Sequence, residues 1–369
     1  DRHSQSRAGR ILQIFRLLGL ERIAIEEAYA GDIVAITGID ELDISDTLCD
    51  PEHKEALPPL IVDEPTVSMT FQVNDSPLCG REGRYVTSRH ILSRLQHELK
   101  HNVALHVEET GDSDKFIVSG RGELHLSILI ETMRREGYEL GVSRPDVIRK
   151  RINDQVHEPY ELLSVDLDKQ YQGAAMELLG EHGGDVKAMA PDDKGRVRLD
   201  YLIPARGLIG IRTEFLTATS GTGLLHHVFD HYGPLCRNIT NNRKNGVLIS
   251  KGNGKSLAYA LFGLQERGQL LIGPGSEVYE GMVIGIHSRG NDLVVNPLKA
   301  KQLTNIRAAG KDDNILLTPP IKLTLEQALG FINDDELVEI TPGNIRIRKK
   351  LLKEHERKRA ARTSEELAC

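Results

Sequence analysis

The first chemistry that the residue types and spacing suggest is zinc-dependent hydrolysis. Residues 97–101 are His-Glu-Leu-Lys-His and match the HExxH pattern, which on a helix places two imidazoles on one face with a carboxylate available as base. A catalytic zinc needs a third protein ligand. The extended pattern requires Gly at position 104 and His at position 107, and this chain has Ala104 and Val107. We favour a structural role in the last turn of a helix, and keep a zinc hydrolase as the alternative.

A second pattern is related to nucleotide binding. Residues 252–256, Gly-Asn-Gly-Lys-Ser, end like a P-loop, whose backbone amides cradle phosphate groups. The first glycine of that motif should be residue 249, which is Ile249, and residues 256–264 have the pattern of a strand instead of the required helix. We therefore predict a hairpin turn, in which Lys255 can still meet a phosphate as a point charge.

A third group consists of His226, His227 and His231 near Asp230. On a strand, His226 and His227 point to opposite faces and cannot ligate one metal. No nucleophile, base and orienting group are brought together elsewhere. The sequence therefore predicts neither a catalytic site nor a metal site.

The elements that position these residues follow a repeated order. Residues 66–142 and residues 160–232 each show strand and helix periodicities in the order βαββαβ, which is that of a split-βαβ or ferredoxin-like unit. Residues 237–345 are mostly short strands with glycine turns, and a helix is predicted at 325–332 with Thr324 and Gln327 in capping-box spacing.

The predicted fold class is multidomain α+β. We expect a partial β-barrel with a linker at 1–63, ferredoxin-like domains at 64–150 and 151–236, and a β-rich domain with a basic terminal helix at 237–369. The first residue is Asp1 and the opening segment has the pattern of a domain interior, so we expect a fragment of a longer protein.

Composition and charge narrow the function classes. No apolar run approaches the ~18 residues of a membrane span, and four scattered cysteines suit a reducing cytoplasm. The net charge of −7 is uneven, because residues 237–311 hold 11 Lys/Arg against 4 Asp/Glu and residues 345–362 hold 9 against 2. Two separate basic segments favour a nucleic-acid partner, whereas either one alone is equally well explained as a solvated face.

Several segments resemble a known family. The string GRGELHLSILIETMRREG, residues 120–137, resembles the third domain of elongation-factor-G-like translational GTPases. The chain as a whole resembles the C-terminal part of the BipA/TypA family in DEPTVSMTF (63–71), DKGRVRLDY (193–201), SGTGLL (220–225), ALFGLQERG (260–268) and VYEGMVIGIHSRGNDL (278–293). Elongation factor G itself inserts a large domain where this chain has a ten-residue connector. LepA, the alternative within the class, shares the tandem modules but resembles the last third poorly.

The resemblance implies a cytoplasmic, ribosome-binding protein that hydrolyses GTP when intact and acts in large-subunit assembly and in growth under cold or other stress. GTP and Mg would bind an N-terminal G domain, whose motifs this chain lacks. We therefore predict that the chain itself is not an enzyme and holds no cofactor. The implied partners are large-subunit rRNA and A-site tRNA, without a membrane, and a monomer is expected.

The family's C-terminal domain reaches RNA, and we map that role to basic residues of this chain. The first candidates lie in the irregular segment 297–314, and they are Lys299, Lys301, Arg307 and Lys311. The second group is Arg243, Lys244, Lys251 and Lys255. The basic residues 346–362 either bind RNA or form a solvated tail. A protein–protein adaptor, which would lack salt-dependent RNA affinity, is the remaining alternative.

Overall fold

The structure is a computed structural model that describes residues 7–19, 21–39, 42, 44–58, 64–192, 195–236, 239, 243–300 and 316–368. It divides into two compact units. The first comprises Asp1–Asp63 with His97–Val103, and the second comprises Glu64–Gln96 with Ala104–Cys369. The mixed α+β class that the sequence predicts is confirmed.

The first unit contains one small antiparallel sheet. Its strands are β1 (Gln13–Leu18), β2 (Glu21–Ile25) and β3 (Val34–Thr37), in the order β2-β1-β3. A partial β-barrel was predicted here, but the strands described in this unit form an open sheet and no closed barrel.

The second unit opens with a βαββαβ segment. Its elements are β4 (Val67–Val73), α1 (Ser88–Leu99), β5 (His106–Glu109), β6 (Lys115–Gly120), α2 (Glu123–Glu136) and β7 (Leu140–Val142). The strand order is β7-β4-β6-β5. Alternate residues of β4, such as Met69 and Phe71, are buried with Ile91 of α1 and Ile130 of α2 in one core. Helix α2 ends at Gly137, whose left-handed φ of 97° suits glycine.

A second βαββαβ segment follows two short strands, β8 (Asp146–Val147) and β9 (Lys150–Ile152). Its elements are β10 (Gln155–Asp168), α3 (Gln172–Glu181), β11 (Asp185–Pro191), β12 (Arg196–Pro204), α4 (Ala205–Leu208), α5 (Ile211–Ala218) and β13 (Leu224–Pro234). The sheet order, β11-β12-β10-β13, repeats that of the first segment. Leu163 and Val165 of β10 pack against α3 and α5 in a separate core.

The remaining described residues form short strands with three helices. They are β14 (Val247–Ser250), β15 (Gly254–Lys255), α6 (Ala258–Leu264), β16 (Gly268–Leu270), β17 (Glu277–Val278), β18 (Met282–His287), β19 (Leu293–Val295), α7 (Leu325–Phe331), β20 (Glu336–Ile340), β21 (Ile345–Lys349) and α8 (Glu354–Ala368). The predicted capping box of Thr324 and Gln327 is present at the start of α7. None of the described helices is both long and apolar enough to cross a membrane.

The first βαββαβ sheet continues into the C-terminal strands. Strand β7 pairs antiparallel with β20, with Leu140 opposite Ile340, and so joins the path β19-β14-β18-β21-β20-β7-β4-β6-β5. The hydrophobic core likewise contains residues from both regions, such as Phe71 and Ile347. The sequence did not predict this shared sheet.

Candidate nucleic-acid interface

Three of the eight predicted RNA-binding residues lie around one glycine turn. Strand β14 ends at Ser250, and the backbone N–H of Lys251 donates to the carbonyl of Val295 at 2.9 Å. Leu298 packs over the turn: a Cβ added to Gly254 would lie only 3.2 Å from the Leu298 side chain. Lys299 follows directly on Leu298, and Lys255 lies in β15, which pairs with β17. The structure therefore brings Lys251, Lys255 and Lys299 together, and we call these three residues the lysine cluster.

The lysine cluster is solvent-exposed and, among the described residues, free of ion pairs. All three side chains are exposed, and within the described ranges no carboxylate lies within ion-pair distance of their ammonium groups. The hydrogen bond from Lys358 lowers the pKa of Glu354, and the nearby charge of Lys251 contributes in the same direction. Unpaired ammonium groups on a well-anchored turn can meet phosphate without first breaking a protein salt bridge.

Two other candidates, Arg243 and Lys244, lie elsewhere. The Arg243 guanidinium donates to both carboxylate oxygens of the buried Glu336, at 3.0 Å each, and lies 4.3 Å from the ring centroid of Phe331. Its side chain is only 10% exposed, so its donors serve the interior of the protein. Lys244 is 86% exposed but pairs with Glu181 of α3 at 3.2 Å.

The three remaining candidates, Lys301, Arg307 and Lys311, lie outside the described residues. The chain on either side of them is anchored at α6. Before them, the N–H of Leu257 donates to the carbonyl of Pro297 at 3.0 Å. After them, the side-chain amide of Gln265 donates to the carbonyl of Leu316 at 3.2 Å and accepts from the Thr318 N–H at 3.1 Å.

The basic residues 346–362 are divided between a strand and a helix. Arg346, Arg348 and Lys349 belong to β21 and pair with carboxylates, and Arg348 and Lys349 are buried. The predicted basic terminal helix begins at Glu354. Within it, Arg357 donates to the carbonyls of Leu351 and Leu352, and burial lowers its pKa.

The P-loop-like segment differs from its prediction in two respects. The predicted hairpin is wrong, because β14 pairs with β18 and β19 while β15 pairs with β17, so the two strands beside the turn do not pair with each other. Residues 258–264 form α6, so the predicted strand is wrong: Ala260, Leu261 and Leu264 face the core at helical spacing. Even so, the residues of this segment do not fit the phosphates of a nucleoside triphosphate. The amides of Lys251, Ser256 and Leu257 are already bonded to the carbonyls of Val295, Ser276 and Pro297.

Helix α6 also carries residues that the sequence analysis missed. Tyr259 and Phe262 are each 42% exposed, on the side opposite the buried Leu261. The short, uniformly apolar run from Leu257 to Leu264 conceals this difference between its two faces, because it fits a buried strand as well as a helix.

The histidine patterns do not form a metal site. Helix α1 ends at Leu99, so His101 lies beyond it, and the His97 and His101 rings meet edge to face at 5.2 Å between centroids. In β13, His227 pairs through Nδ1 with Glu161, while His226 aligns with Ser164 on the other face. The part of the chain that the structure describes holds no group of three His, Cys, Asp or Glu side chains that could bind a metal ion.

Two family models match this chain. Residues 245–354, which include the lysine cluster and α6, match the TypA/BipA C-terminal domain, and residues 155–243 match the elongation factor G C-terminus.

Whole-chain relatives agree with these domain matches. A large ribosomal subunit assembly factor BipA from Salmonella typhimurium is 61% identical over 366 residues, which are 99% of this chain and 60% of the relative. The protein of that name from Haemophilus influenzae is 63% identical over 360 residues, covering 98% of this chain and 58% of the relative. The one from Buchnera aphidicola is 54% identical over 367 residues, covering 100% and 60%. The chain thus spans about 60% of the length of these relatives.

One prediction is wrong. The chain was predicted not to be an enzyme because it carries no G-domain motifs. The relatives match 98–100% of this chain, which spans only about 60% of their length, so the lack of those motifs in this sequence is no ground for that prediction. On this evidence the chain belongs to the BipA/TypA family.

Proposed function

We propose that this chain binds the ribosome and acts in large-subunit assembly, as part of a protein that hydrolyses GTP with Mg. The relatives' shared name, large ribosomal subunit assembly factor, supports the partner. The elongation factor G match supports a translational GTPase. A cytoplasmic place of action follows from the ribosomal partner, and a role in cold or stress adaptation is part of the same proposal.

We also infer that the two βαββαβ segments are ferredoxin-like domains, equivalent to the third and fifth domains of elongation factor G. Their identical strand orders support this. The elongation factor G model, matching 155–243, supports the second assignment. The proposed domains are 64–150 and 151–236, between the 1–63 segment and the 237–369 domain.

The lysine cluster is the proposed point of contact with RNA, which would be rRNA and the A-site tRNA. The observation that carries this is three exposed ammonium groups, unpaired among the described residues, around one anchored turn. Lysine binds phosphate as a mobile point charge, and each neutralised phosphate releases counterions, so the affinity should depend steeply on salt. Lys301, Arg307 and Lys311 extend the basic surface in this proposal. Lys244 ranks below them because of its ion pair, and Arg243 ranks last.

A salt titration of ribosome binding tests the proposal. Changing Lys251, Lys255 and Lys299 together to Gln should weaken binding and reduce the slope of log K against log salt by about 2–3, because each lost phosphate contact removes roughly 0.7–0.9.

The control changes Lys115, Lys150 and Lys187 to Gln. It removes the same charge, but from lysines that pair with Asp112, Glu64 and Asp185. An equal reduction of the slope in both triple variants would reject the lysine cluster as the contact. Binding that is insensitive to salt in the unchanged protein would favour the protein–protein adaptor.

A further inference from the structure

We propose that Tyr259 and Phe262 form a stacking platform for unpaired RNA bases beside the lysine cluster. This inference rests on the RNA binding proposed above and specifies the class of RNA: a single-stranded segment or end whose bases are not already stacked in a helix.

The platform is rigidly mounted. Tyr259 and Phe262 are three residues apart on α6, so their side chains project from the same face of the helix, and each is 42% exposed. On the opposite face Leu261 is fully buried, in a core that includes Leu248 and Ile284. The helix backbone is therefore fixed while both rings face solvent, which lowers the entropic cost of stacking a ligand on them.

The platform is adjacent to the cations. Lys255 precedes α6 by three residues, and Leu257, directly before the helix, donates its N–H to the carbonyl of Pro297 at 3.0 Å. Lys299 lies two residues after Pro297. The beginning of α6 is therefore flanked by two of the three lysines. A polynucleotide strand offers base faces for the rings and phosphates for the ammonium groups within a single nucleotide unit.

The charge pattern identifies the occupant as nucleic acid. Residues 237–311 carry 11 Lys/Arg and 4 Asp/Glu, and no carboxylate in the described segments pairs with the lysine cluster. The Tyr259 hydroxyl likewise has no hydrogen-bond partner among the described residues. A duplex hides the base faces within its own stack, whereas single strands present them to aromatic side chains.

The test measures binding of the whole protein to two RNA probes of equal length and charge, one a single strand without secondary structure and the other a hairpin duplex. Changing Tyr259 and Phe262 together to Ala should weaken single-strand binding by at least about tenfold, since each stacked base contributes roughly 1–3 kcal/mol. Duplex binding, the salt slope and the melting temperature should not change. Trp at both positions should restore the single-strand affinity.

The control is Leu257→Ala, which removes a 38% exposed apolar side chain at the same place but no aromatic face. Equal losses for both probes, or no loss, would overturn the platform. The platform would also be overturned if the variant with Ala at both Tyr259 and Phe262 melted several degrees lower than the unchanged protein without RNA. The rings would then be covered by the protein's own chain. If the unchanged protein binds neither probe, the RNA-binding function itself fails. The platform alone is rejected if the lysine variant has a reduced salt slope while the Tyr259/Phe262 variant keeps its single-strand affinity.

Discussion

At the residue scale, buried charges hold the second unit together. Glu339 of β20 is completely buried, and it accepts hydrogen bonds from Asn74, Ser76, Tyr279 and Arg346. Burial, followed by the charge of Glu339, raises the pKa of Tyr279 far above its usual value, so its hydroxyl remains a donor. A buried carboxylate is tolerated only when it is paired and fully hydrogen-bonded, and here the partners come both from the first βαββαβ segment and from the C-terminal part of the chain.

Removing this carboxylate should be costly. Glu339→Ala leaves Arg346 and three polar groups without their common acceptor, so we expect a loss of about 3–5 kcal/mol in the free energy of unfolding. Glu339→Gln retains an acceptor oxygen and should lose less. Urea denaturation of the two variants measures the difference. Equal stability of Glu339→Ala and the unchanged protein would contradict the assigned role.

His227 provides a pH-dependent contribution. Its hydrogen bond with Glu161 raises the pKa of His227 above the usual value. The folded state therefore holds this proton more tightly than the unfolded chain does. The resulting stability is fully present below pH 6.5, the ordinary value, and is lost as the pH rises through the folded value. Burial raises the pKa of the neighbouring Glu123. Its contribution to stability therefore also falls as the pH rises, beginning near the ordinary value of 4.5.

We expect His227→Gln to lower the melting temperature by about 1–3 °C near pH 6. The change should be smaller at pH 9, because the stabilising proton is lost as the pH rises. The effect is modest at either pH because the imidazole is partly solvated. Differential scanning fluorimetry across this pH range measures it. The control is His226→Gln, on the opposite face of the same strand. A pH-independent difference between His227→Gln and the unchanged protein would contradict this contribution.

At the element scale, close backbone contact joins α7 to the second βαββαβ segment. Gly210 precedes α5 with a φ of 78°, and a Cβ on Gly330 of α7 would lie 2.7 Å from its Cα. Both groups are backbone, so neither can swing aside. The two elements can approach this closely only with glycine at both positions.

Gly330→Ala should therefore destabilise the protein by about 1–3 kcal/mol, through strain at this contact. Gly263→Ala is the matched control, a helical glycine whose added Cβ meets nothing within 4 Å. It should be neutral or stabilising by up to about 1 kcal/mol. Thermal denaturation of both variants compares them, and similar melting temperatures would argue against the close packing.

The sequence predicted elements well where the periodicity was long and clear. Helix α2 and its Gly137 end, the alternation in β4 and the capping box of α7 all follow from local rules. Helix α6 does not, because seven apolar residues have no distinguishable period. All three residues of the lysine cluster were among those predicted, but ranking by charge gave Arg243 the same weight as Lys255. The pairing of Arg243 with Glu336 depends on a strand 93 residues away, which no local pattern reveals.

At the scale of the whole molecule, the shared sheet predicts cooperative opening. Strands β4 and β7 should exchange their amide hydrogens together with β20 and β21, because they form one ladder over one core. Glu339→Ala should accelerate exchange in β4 and β7 as well as in β20, while β11 and β12 of the other sheet remain protected. Hydrogen exchange followed by mass spectrometry measures this. Acceleration confined to residues 336–349 would show that the two regions open separately.

The junction of β7 and β20 also has a consequence during protein synthesis. Strand β7 ends at Val142 and β20 begins at Glu336, so about 200 residues must be made before the partner strand exists. At roughly 5–20 residues per second, the outer edge of β7 on the nascent chain stays unpaired for about 10–40 s. An open strand edge is a site of mispairing. We therefore expect nascent chains that stop between residues 150 and 330 to depend on chaperones for solubility, and chains that extend beyond β21 to be released from that dependence.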